Sequence, residues 1–444
     1  MKVGRMSMTK TRLDGLYLLL LGSMVFLLLG AALENSSPAP MLDFRLLYYP
    51  ARCLIQHGDP YKESDVLRVY QAEGVYSQLD TAKEREMTTQ YLYPPTAFCL
   101  TVPFALLPWG PARILWTTLT VGSLILASFL VWNLGANCAP ILSGVLIGFL
   151  LANSEVLVIK GMCAGIAVSL CMVAAWCFLQ ERCVLAGILC LAVSLAVKPQ
   201  DAGLVWFYFL LAGGVYRKRA LQTLFATVVL SLSVVLWVWR VAPNWMQEWH
   251  SYFMASLLQS SMNDPGLAST GGHGLAMVIS LQTAISFFRD DPRIYNPVSY
   301  VICAPLLLVW ALVTLRSRPS TKRAWLALAA IAALSMLPVY HRQYDAKLIL
   351  LTVPACAMLW VEGGLIGWLA LLVNTAGFVV TGDLSWAILI GFTSNLHLAA
   401  TGMSRQILTA AQVFPAPVIL LVMGVFYLWV YVRRCSAHDP PQPL

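Results

Sequence analysis

The chain is poor in charge. Of its 444 residues only 11% are Asp, Glu, Lys or Arg, while 59% are hydrophobic and the mean hydropathy is +0.72. A water-soluble domain carries about a quarter charged residues. This composition therefore excludes a fold that covers its whole surface with solvated groups. Metal-binding spacings are missing as well. The eleven cysteines include no CxxC pair, and the histidines form neither HExxH nor HxxxH. Both absences argue against a zinc site, and the first also against a disulfide framework. No glycine-rich phosphate loop follows a strand-like run. Internal repeats are absent too, and with them the paired halves common in carriers.

What is present is a series of long apolar runs. They cover approximately 13–33, 94–108, 112–133, 139–152, 162–179, 184–200, 202–216, 219–241, 297–316, 324–339, 345–361, 364–380 and 415–432. About 20 apolar residues in a helix cross a bilayer. Leu16 to Leu33 exceeds a signal-peptide core and reads as a first transmembrane helix. Basic clusters abut these runs: Lys2, Arg5, Lys10 and Arg12; Arg217, Lys218 and Arg219; Arg316, Arg318, Lys322 and Arg323; Arg433 and Arg434. Their placement fits the positive-inside rule better than nucleic-acid binding.

The run 94–108 begins at Pro94-Pro95, carries Pro103 and ends in Pro108-Trp109-Gly110-Pro111. Such a run suits a re-entrant or interfacial helix that does not cross. With that one exception every basic cluster falls on the same side. The expectation is an all-α polytopic membrane protein, one domain over 1–444, with about twelve spans plus re-entrant and interfacial helices. Both termini and the tail 433–444 are expected to be cytoplasmic, in the cell (inner) membrane. Two long loops, 34–92 and 242–296, are expected outside. Their tyrosines and tryptophans predict short helices resting at headgroup level. The stretch 381–414 reads as an amphipathic segment on the outer surface.

Four places could carry chemistry. Asp43 follows the first span. A carboxylate in partly apolar surroundings can have its pKa raised and act as a general base, although a loop acid or helix cap is the bland alternative. Lys198-Pro199-Gln200-Asp201 ends a span, and a lysine at that depth calls for a phosphate, a snorkelling path or an ion pair with Asp201. Glu155 and Lys160 form a similar candidate pair. Finally, Tyr340-His341-Arg342-Gln343-Tyr344-Asp345-Ala346-Lys347 places three cations on the outer side. That is the wrong side for a routine basic cluster and a suitable one for holding a phosphate.

The order of these pieces resembles glycosyltransferase family 87, the polyprenol-phosphate-mannose-dependent branch of the C-type membrane glycosyltransferases. The resembling residues are Asp43-Phe44, Tyr48-Tyr49, Gly58-Asp59-Pro60-Tyr61, Tyr93-Pro94-Pro95, Pro103 to Pro108, Leu115-Trp116, Ala186-Gly187, Leu195 to Pro199, and His341 with Tyr344. The resemblance implies a C-type fold with an active site on the outer face. It implies inverting transfer of a hexose, mannose by expectation, from a polyprenyl-phosphate sugar to a glycan or glycolipid acceptor. Asp43 would be the base. His341, Arg342 and Lys198 would lie near the donor phosphate, with Tyr344, Lys347 and Tyr48 as further substrate contacts. The implied partners are the lipid-linked sugar, membrane lipid and the acceptor, and no nucleic acid. No cofactor and no metal ligand are assigned, and metal dependence stays open. Ala152-Asn153-Ser154-Glu155 departs from the expected Gly-Gln-x-Asn type of motif, and no Asn-x-Ser-Leu element follows Asn263. The competing reading is a transporter or flippase of a lipid-linked sugar.

Overall fold

The computed structural model describes residues 2–37, 40–73, 88–258, 263–266, 278–318, 320–384, 387–388, 410–411 and 413–436, with side chains from residue 10 onward. Among the described residues the regular structure is helical, apart from an isolated bridge between Val278 and Arg342. Helix α1 (Lys2–Ser36) is followed by the short helices α2 (Leu42–Ile55) and α3 (Glu63–Ala72). A 3-10 turn (Pro95–Ala97) leads into α4 (Phe98–Ala105). Next come α5 (Trp109–Gly135), α6 (Pro140–Leu151), the brief α7 (Val156–Lys160), α8 (Cys163–Gln180), α9 (Val184–Val197), α10 (Pro199–Leu211) and α11 (Gly214–Val241). The short α12 (Trp245–Ser256) and α13 (Leu281–Ser286) precede α14 (Pro292–Arg316) and α15 (Thr321–Leu334). A 3-10 segment (Asp345–Thr352) runs straight into α16 (Val353–Glu362), then α17 (Gly364–Val380) and α18 (Pro415–Ser436) follow.

Among the described residues, seven segments are long and apolar enough to cross a bilayer: Lys10–Ser36, Trp109–Gly135, Pro140–Lys160, Cys163–Gln180, Gly214–Val241, Pro292–Arg316 and Pro415–Cys435. The chain is an integral membrane protein. Shorter apolar helices are Pro95–Ala105, Val184–Val197 and Gly364–Val380. Pro95–Ala105 rises only roughly 16 Å, about half the hydrocarbon thickness, so by itself it is too short to cross.

Proline sets two of the breaks. Pro94 holds extended backbone (φ −64°, ψ 159°) and a helical turn starts at Pro95, where a missing N–H costs nothing. Lys198 precedes Pro199, which keeps it out of the helical region at φ −141°, ψ 78°. The chain turns there, α10 packs back on α9, and Lys198 occupies the tip. Elsewhere small residues let helices approach. Gly15 and Gly22 of α1 face Gly144 and Gly148 of α6, and a Cβ at any of the four would overlap the opposing backbone. In lipid no hydrophobic force pulls helices together, so close backbone contact of this kind does.

Polar groups collect at two ends. One end holds Arg12 near Asn133 and Asn137, Arg219 on Phe178 O and Glu181, and Arg434 on Glu362. The other, called the polar end below, holds Asp43, the Lys198 turn and residues 335–345. Between them runs an apolar band, in which every residue from Ala324 to Leu334 is buried.

The segment 34–92 does hold short helices, and α2 is packed into the protein. In α2, Phe44, Leu46, Leu47, Tyr48, Tyr49 and Leu54 are all buried. Phe44 stacks on Trp116 with ring centroids 4.5 Å apart, and Tyr49 stacks on Trp109 at 5.8 Å. The aromatic rings find one another across α2, α4 and α5, so the segment is a folded cap. The stretch 381–414 lies almost wholly outside the described residues.

Candidate active site

The cap is pinned where α7 ends. Met41 N donates to Ile159 O at 2.7 Å, and Trp116 Nε1 donates to Gly161 O at 2.9 Å. Gly161 has φ +66°, and a Cβ there would meet Phe44 Cβ at 2.8 Å. Glycine alone can both end α7 in this conformation and let α2 sit on it. Asp43 lies in the first turn of α2. Burial pushes its carboxyl above the ordinary carboxylate range, and the charges of Arg342, Lys160 and Lys198 offset only part of this. The residue is only half-buried by exposure, so part of its carboxyl-bearing side chain stays accessible from outside the protein.

Facing it, the Lys198 turn meets the 341–345 segment. Lys198 Nζ pairs with Asp345 Oδ1 and stands 3.3 Å from Asp201 Oδ2. It also lies 5.4 Å from the centroid of the Tyr344 ring. His341 Nε2 is 3.3 Å from Asp201 Oδ1, and its Nδ1 is 3.1 Å from Val339 O. The first separation is loose for a hydrogen bond but close for opposite charges. Both ring nitrogens face oxygen acceptors, an arrangement that favours the doubly protonated form. Burial disfavours that charged form, yet Asp201 outweighs it and raises the His341 pKa above its ordinary value. Asp345 uses its second oxygen to accept Arg342 N at 2.9 Å. Two basic and two acidic side chains thus make a buried quartet, with exposures of 6% for Lys198, 0% for Asp201 and His341 and 2% for Asp345. The bland alternative for Lys198, an ion pair with Asp201, is present, and Asp345 enlarges it.

Arg342 stands outside that balance. Its guanidinium bonds Tyr340 OH and lies 5.5 Å from that ring's centroid. Its charge acts on Asp43, as does that of Lys160. The backbone beside it is fixed by Ile279 N donating to His341 O at 2.9 Å. Tyr93 completes the wall: its hydroxyl accepts from the Cys163 thiol at 3.3 Å and lies within electrostatic reach of Tyr344 and Asp43. In the sequence Tyr93 stood out only within the resembling Tyr93-Pro94-Pro95 and Asp345 only as a member of the 340–347 stretch. The spacing Arg342 to Asp345, which lets a side chain close back on a backbone N–H, was the available signal for the second.

The structure therefore brings together Asp43, Lys198, His341, Arg342 and Tyr344. Two other expected residues stand apart. Tyr48 comes five residues after Asp43, turned about 140° around α2. Its hydroxyl donates to Leu107 O at 2.7 Å beside Glu73, which Arg52 holds. Lys347 donates to Asn153 O at 2.7 Å and Thr381 O at 3.3 Å and lies 3.6 Å from Asp383. Asp383 in turn accepts Val156 N at 2.8 Å. The departing segment Asn153-Ser154-Glu155 is thus a structural knot that joins α6, α7 and the end of α17. Glu155 and Lys160, read as a candidate pair, do not bond each other: Glu155 lies within charge range of Asp383 and Lys347. Among the described residues no group of three or more His, Cys, Asp or Glu could hold a metal ion.

The model of glycosyltransferase family 87 matches residues 91–339, more than half of the chain. The chain belongs to glycosyltransferase family 87. It is accordingly a membrane glycosyltransferase, and the carrier reading gives way to it. The family 87 match takes in Tyr93, Lys160, Lys198 and Asp201. It starts after Asp43 and stops just before His341, Arg342 and Asp345. No curated protein matches the chain.

Proposed function

We propose that this family 87 member transfers a hexose, mannose, from a polyprenyl-phosphate sugar to a glycan or glycolipid acceptor, with inversion, on the extracytoplasmic face of the cell membrane. The observation that carries the reading is Asp43: a half-exposed carboxylate of raised pKa, facing Arg342 across a cleft at the end of the molecule away from the basic clusters. The positive-inside rule supports the orientation. If α1, α5, α6 with α7, α8, α9, α10, α11, α14, α15, the segment Asp345–Glu362, α17 and α18 are taken as traverses, the chain crosses twelve times and both termini lie with the basic clusters.

The reaction is a single displacement. The Asp43 carboxylate takes the proton of an acceptor hydroxyl as that oxygen bonds the anomeric carbon. The bond from that carbon to the phosphate oxygen breaks, and the electron pair leaves with the lipid phosphate. Arg342, with its planar fork of donors, meets the charge that develops there. Lys198 and His341 act one step back: Lys198 holds Asp345, which fixes the Arg342 backbone, and His341 faces Asp201, the other partner of Lys198. Tyr48 and Lys347 take structural roles in this account.

The test is product analysis with purified protein, radiolabelled polyprenyl-phosphate mannose and a panel of acceptors. The expected product is a new glycoside of opposite anomeric configuration to the donor, formed without a nucleotide sugar. A retained configuration, or transfer directly from a nucleotide sugar, refutes the mechanism.

A further inference from the structure

We infer that the start of α11 binds an anionic phospholipid of the surrounding bilayer, at the end of the molecule opposite Asp43. The inference does not depend on the reaction proposed above. Its place is a cavity of about 550 Å³ lined by Gly214, Arg217, Lys218, Leu221, Gln222 and Phe225. Three observations carry it. The first is which face of α11 is left over. Arg219, Ala220 and Thr223 are buried, with Arg219 on Phe178 O and Glu181 and Ala220 O accepting Trp206 Nε1 at 2.9 Å. That face holds the helix to its neighbours. On the other, Leu221, Phe225, Val228, Leu232 and Leu236 are 51–72% exposed. In a bilayer such a stripe is covered by acyl chains.

The second is where the cavity lies along that stripe. Gly213 and Gly214 start the helix at φ +78° and +51°, and a Cβ at Gly214 would meet nothing within 4 Å. From Gly214 to Phe225 the helix rises roughly 16 Å. The cavity therefore runs from the charged rim of the span into its apolar part, cationic at one end and greasy at the other. The third is charge. Arg217 Nε donates to Leu210 O at 3.1 Å, which steadies the guanidinium. Among the described residues no carboxylate pairs with Arg217, and no hydrogen bond or ion pair reaches Lys218. The positive-inside rule explains why cations stand at this end, but not why two of them rim a cavity with an apolar wall.

Chemistry then selects the ligand. Two cations without a carboxylate call for an anion, and a phosphodiester lipid supplies one. A headgroup with its own ammonium would set a third cation beside Arg217 and Lys218 with no acid to receive it. The fit is an anionic lipid with a polyol headgroup, whose hydroxyls the Gln222 amide can bond, while Leu221 and Phe225 take the chains. In the orientation proposed above this is the cytoplasmic leaflet, so the bound lipid is a resident of the boundary layer and not a substrate of the Asp43 cleft.

Full-length protein in nanodiscs of phosphatidylcholine with a minor share of phosphatidylglycerol tests the site, with retained lipid counted by native mass spectrometry. Arg217→Gln/Lys218→Gln is expected to weaken retention of one phosphatidylglycerol about tenfold or more, as loss of charge-assisted contacts does, and Arg217→Lys/Lys218→Arg to keep it. Arg316→Gln/Arg318→Gln removes the same charge from the same end and should leave it unchanged. Melting curves check that each variant is folded. Unchanged retention in folded Arg217→Gln/Lys218→Gln overturns the site. An equal loss in Arg316→Gln/Arg318→Gln overturns it too, because the effect is then one of overall charge. Equal retention of phosphatidylcholine or phosphatidylethanolamine, or displacement of the lipid by inorganic phosphate at equal concentration, overturns the choice of ligand.

Discussion

Two sets of charges lie side by side at the polar end and follow different rules. In the set of Lys198, Asp201, His341 and Asp345, every ion faces one of opposite sign and none is appreciably exposed. In the set of Asp43, Arg342 and Lys160, all three side chains are half-exposed and the cations outnumber the carboxylate. Ions removed from water need partners within the protein. Ions that serve a charged substrate need part of their field left unspent. A basic patch in a sequence therefore does not point as a whole at a ligand: here Arg342 and His341 are adjacent, yet one faces the cleft and the other serves the frame.

Breaking each set should give opposite phenotypes. Asp43→Asn should reduce transfer by about 10²- to 10⁴-fold, the usual contribution of a general base, with unfolding in detergent unaffected or slightly delayed. Its raised pKa means that folding disfavours the ionised form, so at neutral pH the neutral amide removes a strain on stability. Near-normal turnover in that variant would take Asp43 out of the base role. Asp201→Asn should do the reverse. It leaves Lys198 and His341 short of a counter-charge in a dry site and should cost about 3–5 kcal/mol, read as a large fall in melting temperature that precedes any specific change in mechanism. A variant that melts like wild type would erase the distinction between frame and cleft.

The smallest effect is a pH dependence. The folded His341 pKa lies above its ordinary value. Its contribution to stability is therefore fully present below the unfolded value, about 6.5, and is lost as pH rises through the folded value. Melting curves across neutral to alkaline pH should show this decline in wild type and lose it in His341→Gln. A decline of the same size in both would place its origin elsewhere.

Much of the scaffold was legible because its causes are local. The apolar runs, the short proline-bounded helix within Pro94 to Pro108 and the break at Lys198-Pro199 follow from hydropathy and from what proline does to its own and the preceding residue. Asp43 and the 340–347 stretch were legible as candidates because charges are rare in so apolar a chain. Less could be read of their roles. Tyr48 looked like a substrate contact until Leu107 and Glu73, both distant in sequence, were found to occupy its hydroxyl. The aromatic residues of α2 looked like a headgroup anchor, because composition alone does not say whether a ring meets lipid or another ring.

By itself the sequence determined that this chain lives in a bilayer, where its helices break and which few residues could do chemistry, since hydropathy, backbone restriction and charge are properties of short segments. Only the tertiary structure decided which of those charges cancel. Lys198 and Asp201 meet Asp345 and His341 across nearly 150 residues of chain, while Lys160 comes within electrostatic reach of Asp43. Pairing depends on distance in space, and no local pattern along the chain encodes it.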